Sequence, residues 1–229
     1  MAFTIAPPRG VRTAGTGIVK TYIAGARIPF GAAVIRAGAG TVKPAILEDT
    51  DLTIGFALED EEEHLYPGFY EKYEPVPVAI SGTVNALIAA IDDYDLLAGD
   101  YLEHIDLTSD TMASGVGVLA EAGSNAGETM TTHVIAQLLE DLALKDETYK
   151  APSTTPTAGE STIAMNNGDP TIMGLHVGDY IIIRDSDGTT AQVNRVTAIT
   201  DTQLTVLIPI TVAAADYIHA VRQAEVRIL

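Results

Sequence analysis

A chain of 229 residues can form one large or two small domains with a real core, and 47% hydrophobic against 19% charged residues makes it globular. It has no cysteine and no tryptophan, which excludes disulfides, thiolate metal sites and cysteine nucleophiles. A formal net charge of -18 argues against nucleic acid as a partner, because a phosphate backbone would be repelled.

At the N-terminus, "MAFTIAPPRGVRTAG" places Pro7 and Pro8 where a signal peptide needs an unbroken apolar stretch, and no later run approaches a membrane span. The chain is therefore expected to be soluble and to have no membrane partner. Residues 1–13 read as an extended arm. The first acidic residue is Glu48, and six basic ones precede it: Arg9, Arg12, Lys20, Arg27, Arg36 and Lys43. Segment 1–47 is thus +6 and the remainder -24. Such asymmetry is expected of a basic docking end with an acidic, solvent-facing remainder, or of a basic strand that pairs with acidic strands of its own fold. The candidate docking residues are Arg9, Arg12, Lys20 and Arg27.

Short Val-, Ile- and Thr-rich runs follow at roughly ten-residue spacing, among them "TGIVKTYIA", "AAVIRA", "LTIGFAL", "VPVAISGTVNALIAAI" and "GVGVLAEA". Gly, Asp-Gly and Asn-Gly punctuate them, the signature of an all-β sandwich or barrel. "LEDEEEH" crowds Glu59, Asp60, Glu61, Glu62 and Glu63 together. Mutual repulsion makes such a run an exposed loop tip, with a cation or a basic partner as the alternative. Only Val134–Tyr149 offers a helical face, through Val134, Leu138, Leu139 and Leu142, and it also alternates well enough to begin as a strand.

Two passes through the first 150 residues echo each other. "PFGAAVIRA", "LTIGFALED" and "PGFY…VPVAI" are followed by "LAGDYLEHI", "SGVGVLAEA" and "AGETMTTHVIAQL". The stretch "YKAPSTTPTAGES", Tyr149–Ser161, holds two prolines and five Ser or Thr and no large aliphatic residue, and reads as a linker. The expected fold is mostly β with little helix: two small barrel or sandwich domains, 14–148 and 162–229, joined through 149–161.

"GDYLEHID" at Gly99 and "GDYIIIRD" at Gly178 read as one turn used twice: Gly for positive φ, Asp to accept a backbone hydrogen bond, Tyr to open a strand. "RDSDGTT" from Arg184 begins like a calcium loop but lacks its closing Glu, so Asp-Gly marks a hairpin. His64, His104, His133, His176 and His219 show no metal-ligand spacing, and neither a GxSxG nucleophile nor a phosphate-binding glycine pattern occurs. No catalytic, cofactor or metal residue is expected.

The order of these motifs resembles the capsid decoration (cementing) proteins of tailed bacterial and archaeal viruses. The resemblance rests on Gly31, Val34, Gly55, Ala57, Val76, Val78, Gly82, Val84, Gly99, Asp100, Gly117 and Val134, and covers about Arg27 to Leu139. It implies a non-enzymatic virion protein on the outer surface of an icosahedral capsid. Its partners would be the major capsid protein and itself, as a homotrimer. The acidic insert and the region beyond Tyr149 depart from compact single-domain members. A host-recognition spike module and a tail tube or baseplate component are the alternatives.

Overall fold

The computed structural model describes residues 17–45, 53–60, 63–89, 96–104, 117–122, 134–142, 149–186, 190–212 and 214–229. In chain order the strands are β1 (Val19–Ala24), β2 (Ile28–Pro29), β3 (Ala33–Gly38), β4 (Thr41–Pro44), β5 (Thr53–Ala57), β6 (Phe69–Tyr70) and β7 (Pro75–Ala79). Then come β8 (Thr83–Ile88), β9 (Tyr101–His104), β10 (Leu119–Glu121), β11 (Ala136–Leu138), β12 (Tyr149–Lys150) and β13 (Thr162–Ala164). A single helical turn, α1 (Asp169–Ile172), precedes β14 (Tyr180–Arg184), β15 (Ala191–Thr200), β16 (Gln203–Val206) and β17 (Tyr217–Ile228). The protein is mostly β, as its alternation and turn punctuation predict. Of the helix-or-strand stretch Val134–Tyr149, residues 143–148 lie outside the described residues, and among the rest Ala136–Leu138 form a strand paired with β9 and β17.

β1, β4, β3, β5 and β7 close into a barrel in that order. Only β1 and β4 run parallel; the other four contacts are antiparallel. Alternation within β7 shows why it closes inward, because Val76 and Val78 are buried while Pro75 is exposed.

A second ring of pairings has the same plan. β8 lies parallel to β10; β10 with β9, β9 with β11, β11 with β17 and β17 with β8 are antiparallel. The registers agree residue for residue. Val19, Val34, Val42, Ala57 and Ala79 of the first barrel occupy the positions of Thr83, Leu102, Leu119, Leu138 and Arg227 in the second. Hydrogen bonds beyond the ladders repeat as well. Gly25 N donates to Val42 O at 2.7 Å as Ala89 N does to Leu119 O at 2.8 Å, and Leu58 N to Pro77 O as Leu139 N to Glu225 O, both at 2.9 Å.

The internal echo in the sequence is therefore a structural duplication, but with a different alignment. "PFGA" does match "LAGD"; "TIGFALED" (53–60), however, matches "VIAQLLED" (134–141) and not the "GVGVLAEA" stretch. The last strand of the second barrel comes from the C-terminus of the chain.

This changes the domain organisation expected from composition. Residues 149–161 do not divide the chain into separate barrels. β12 pairs with β17, Ser153 N donates to Ala164 O at 2.9 Å, and Gly159 N donates to Ile210 O at 2.8 Å. The third unit, built from β12 to β16 and the first half of β17, is an insertion between the fourth and fifth strands of the second barrel. β17 belongs to both: Tyr217–Val221 pair with β14, and Arg222–Arg227 pair with β8. A backbone satisfied by long-range hydrogen bonds is ordered whatever its side chains.

β14 is buried along Tyr180–Ile183 because both of its faces are covered. Tyr180 and Ile182 join the apolar cluster of the first barrel, with Val34, Phe69 and Val76; Ile181 and Ile183 join the third unit's own core, with Ile163, Leu204 and Ile218. Tyr180 also donates its hydroxyl to Gly68 O at 2.8 Å, and Arg195 bridges Gly178 O and Pro67 O. The third unit is thus bolted to the first barrel.

The two Gly-Asp-Tyr stretches are the same turn. Gly99 and Gly178 have φ of 108° and 100°. Asp100 N and Asp179 N donate to Leu97 O and His176 O, while each carboxylate accepts the amide of Leu97 (2.7 Å) or His176 (2.8 Å). The Gly amide and the Asp carbonyl then hold one residue of a neighbouring strand, Leu138 or Val196. Tyr101 and Tyr180 each open a strand, one half-exposed and one buried. The turn recurs at 157–160 with Glu160 and at 71–74 with Glu74.

At 71–74 the positive-φ position is Tyr73 (φ 79°), 74% exposed. A bulky residue there stores roughly 1–3 kcal/mol of backbone strain. Tyr73→Gly is expected to stabilise the protein by about 1 kcal/mol, raising the melting midpoint by about 2–4 °C. A calorimetric midpoint that falls would show that the ring's contact with Lys72 outweighs the strain.

Candidate functional site

The connection from β5 to β7, residues 58–74, carries the acidic run. Glu59 and Glu63 are exposed and Asp60 is half-buried, while Glu61 and Glu62 lie outside the described residues. Asp60 does not project freely, because its carboxylate meets His64 Nε2 at 2.6 Å. Glu74 meets His64 Nδ1 at 2.9 Å and also accepts the Glu71 amide. The ring is buried edge-on against Phe30 and Tyr70, with centroids at 5.3 and 4.8 Å. His64 thus ties the two ends of the acidic connection together. The clue in the sequence was the four-residue step from Asp60 to His64; Glu74 came in only through folding.

Burial pulls the His64 pKa down, but hydrogen bonds and charge from Asp60 and Glu74 outweigh it, and the pKa lies above the usual 6.5. The clamp contributes fully below pH 6.5 and is lost as pH rises through the raised value. His219 has the opposite sign. Burial and the Arg184 guanidinium, whose Nε donates to its Nε2 at 2.9 Å, hold its pKa down at about 3. His219 therefore favours the folded state above pH 6.5 and opposes it as pH falls toward 3. In thermal melts across pH, His64→Gln is expected to destabilise more at pH 5.5 than at pH 8.5. An equal loss at both would remove charge from the account of the clamp.

The two carboxylates sit on opposite nitrogens of His64, so the three groups share no point where an ion could be held. Among the described residues no cluster of three or more His, Asp or Glu is placed to hold a metal ion. Asp185, which opens the calcium-like stretch, spends its carboxylate on the Thr190 amide (3.0 Å) and hydroxyl (2.5 Å), closing the connection between β14 and β15.

Beside the acidic connection, a cleft of about 160 Å³ is lined by Arg27, Pro29, Pro44, Phe69, Gln192 and Thr211. It is smaller than the roughly 300 Å³ at which ligand pockets begin, and it is a seam between the first barrel and the third unit. Arg27 forms its wall. Its guanidinium is held by both oxygens of Glu71 and lies 4.8 Å from the Tyr66 ring centroid.

The candidate docking residues thus have different fates. Arg9 and Arg12 lie outside the described residues. Arg27 is engaged within the fold. Lys20 is exposed on β1, and two cations that the docking set did not include, exposed Arg36 on β3 and half-buried Lys43 on β4, accompany it on the first barrel. Among the described residues these three make no ion pair, whereas Arg222 pairs with Asp179 and Lys150 faces Asp169 at 4.0 Å, and Arg184 donates to His219. β1 and the residue before it also expose apolar side chains: Ile18 is 54% exposed, Val19 46% and Ile23 39%.

The architecture defines a class: tandem copies of one five-stranded barrel, the second interrupted by a third β unit. The chain matches no protein-family model, and no curated protein sequence is significantly similar to it. Among the described residues no helix is long and apolar enough to cross a membrane.

Proposed function

We propose that the protein is a non-enzymatic structural component of a virus particle, decorating the outside of an icosahedral capsid by binding the major capsid protein and further copies of itself as a trimer. The observation that carries this reading is the set of cations Lys20, Arg36 and Lys43 on the first barrel, which make no ion pair among the described residues, in a chain that is strongly acidic beyond residue 47. Opposite charge steers such an end onto an acidic surface and leaves the rest in solvent. The motif order shared with capsid decoration proteins supports the choice of partner.

Co-sedimentation with capsids stripped of the protein tests it. A chain carrying Lys20→Glu and Arg36→Glu and lacking residues 1–12 is expected to bind at least about tenfold more weakly, a difference of about 1.4 kcal/mol. Wild-type binding is expected to weaken as salt is raised. Full-strength, salt-independent binding by the variant would refute docking through this end.

A further inference from the structure

The duplicated barrels meet through a contact that uses different segments of each. Gly31–Ala33, at the start of β3, slots between β8 and Gly117 of the second barrel. Leu87 N donates to Gly31 O at 3.1 Å, and Ala33 N donates to Gly117 O at 2.8 Å. The approach is close on both sides. A Cβ on Gly31 would lie 2.8 Å from Asn85 O, and one on Gly117 would lie 2.8 Å from the Ala32 Cβ.

Because the barrels are equivalent in register, each half of this contact has a counterpart at the far end of the molecule. Ile23 and Gly40 of the first barrel stand where Leu87 and Gly117 stand in the second, and Gly99–Tyr101 stand where Gly31–Ala33 stand in the first. Both counterparts are open. Among the described residues, a Cβ at Gly40 or at Gly99 would meet nothing within 4 Å. Ile23 (39%) is exposed beside the first, and Leu97 (56%) and Tyr101 (45%) beside the second. In the open seam Ile23 N donates to Gly40 O at 2.9 Å, the bond that the inserted first barrel has displaced between Leu87 and Gly117.

We infer that copies of this protein associate head to tail, the 97–101 turn of one copy docking into the β1–Gly40 seam of the next. The contact between the two barrels within one chain is the template. Asp100 and Tyr101 in place of Ala32 and Ala33 make the version between chains larger and more polar. A surface that joins two different patches propagates, closing into a ring or growing as a filament according to the rotation between copies. Such association rests on the self-binding element of the proposed function, and its test needs no capsid, so either can fail without the other.

Sedimentation velocity on the full chain decides it. The wild type is expected to associate with rising concentration. Ile23→Glu, which blocks the seam, and Leu97→Glu, which blocks the turn, are each expected to be monomeric with unchanged thermal melts, since both side chains are exposed. An equimolar mixture of the two variants retains one good seam and one good turn, and is expected to form one-to-one dimers and nothing larger. A wild type that stays monomeric at millimolar concentration, a variant that associates as the wild type does, or a mixture that stays monomeric overturns the inference. So does association seen only after residues 1–16 are removed, because the chain's own N-terminal segment would then be the occupant of the seam.

Discussion

Replacing Gly55 by alanine is expected to destabilise the protein by about 3 kcal/mol or more. Gly55 sits in β5 at φ 152°, where the β3–β5 register shifts. A Cβ built there would overlap the Ala79 carbonyl, with the carbonyl carbon at 2.8 Å and a Val78 methyl at 2.9 Å. These are atoms of β7, the strand that closes the barrel, so relief means separating β5 from β7. The duplication supplies an internal control. The equivalent residue of the second barrel is Ala136, fully buried and without a positive φ; Ala136→Gly is expected to cost only about 1 kcal/mol. Chemical denaturation of both variants checks the pair. A Gly55→Ala protein within about 0.5 kcal/mol of wild type would mean that the barrel can move β7 at little cost.

A chain ending at residue 148 lacks β17, which closes the second ring against β8 and β11. Without it β8 loses the partner paired over six residues, and Val84, Ala86 and Ile88 lose cover from Ala224 and Val226. Residues 1–148 are therefore expected to be unable to form the second barrel, and the exposed strand edges favour aggregation. Excising the insertion in place of truncating should restore folding. A chain in which Leu142 is joined through a short Gly/Ser loop to Arg222–Leu229 is expected to give two complete barrels, with dispersed amide resonances and a cooperative melt. The first barrel lies wholly within residues 19–79 and needs no part of β17, so the second is the readout: if β8 to β11 in residues 1–148 keep amides protected from hydrogen exchange, β17 is dispensable and the interrupted-barrel description fails.

The segment just beyond that truncation point shows where composition misleads. Tyr149–Ser161 has the makeup of a linker, and its side chains bury little. What orders it is backbone: two residues paired with β17, one amide given to Ala164, and a turn clasped to Ile210. Backbone hydrogen bonding leaves no trace in composition. Similarly, "TIGFALED" and "VIAQLLED" differ at Gly55/Ala136 and Phe56/Gln137, and only the shared register shows that they do the same task.

Local chemistry was legible in the residues themselves. The β character and the Gly-Asp-Tyr turns depend on φ preferences and hydrogen bonds within a few residues, so neighbouring letters specify them; Asp187 and Gly188 lie outside the described residues, but the strands on either side of them do pair as a hairpin. The acidic run was visible for the same reason, and so was the excess of cations before Glu48. Which cations make no ion pair among the described residues was not: Arg27 and Lys20 look alike in the sequence, and Glu71, 44 residues from Arg27, separates them. Tertiary structure also decided that His64 would be clamped, that one closing strand would come from the far end of the chain, and that a seam would be filled in one barrel and open in the other. Each depends on which distant segments meet, and a strand's alternation says which face it buries without saying against what.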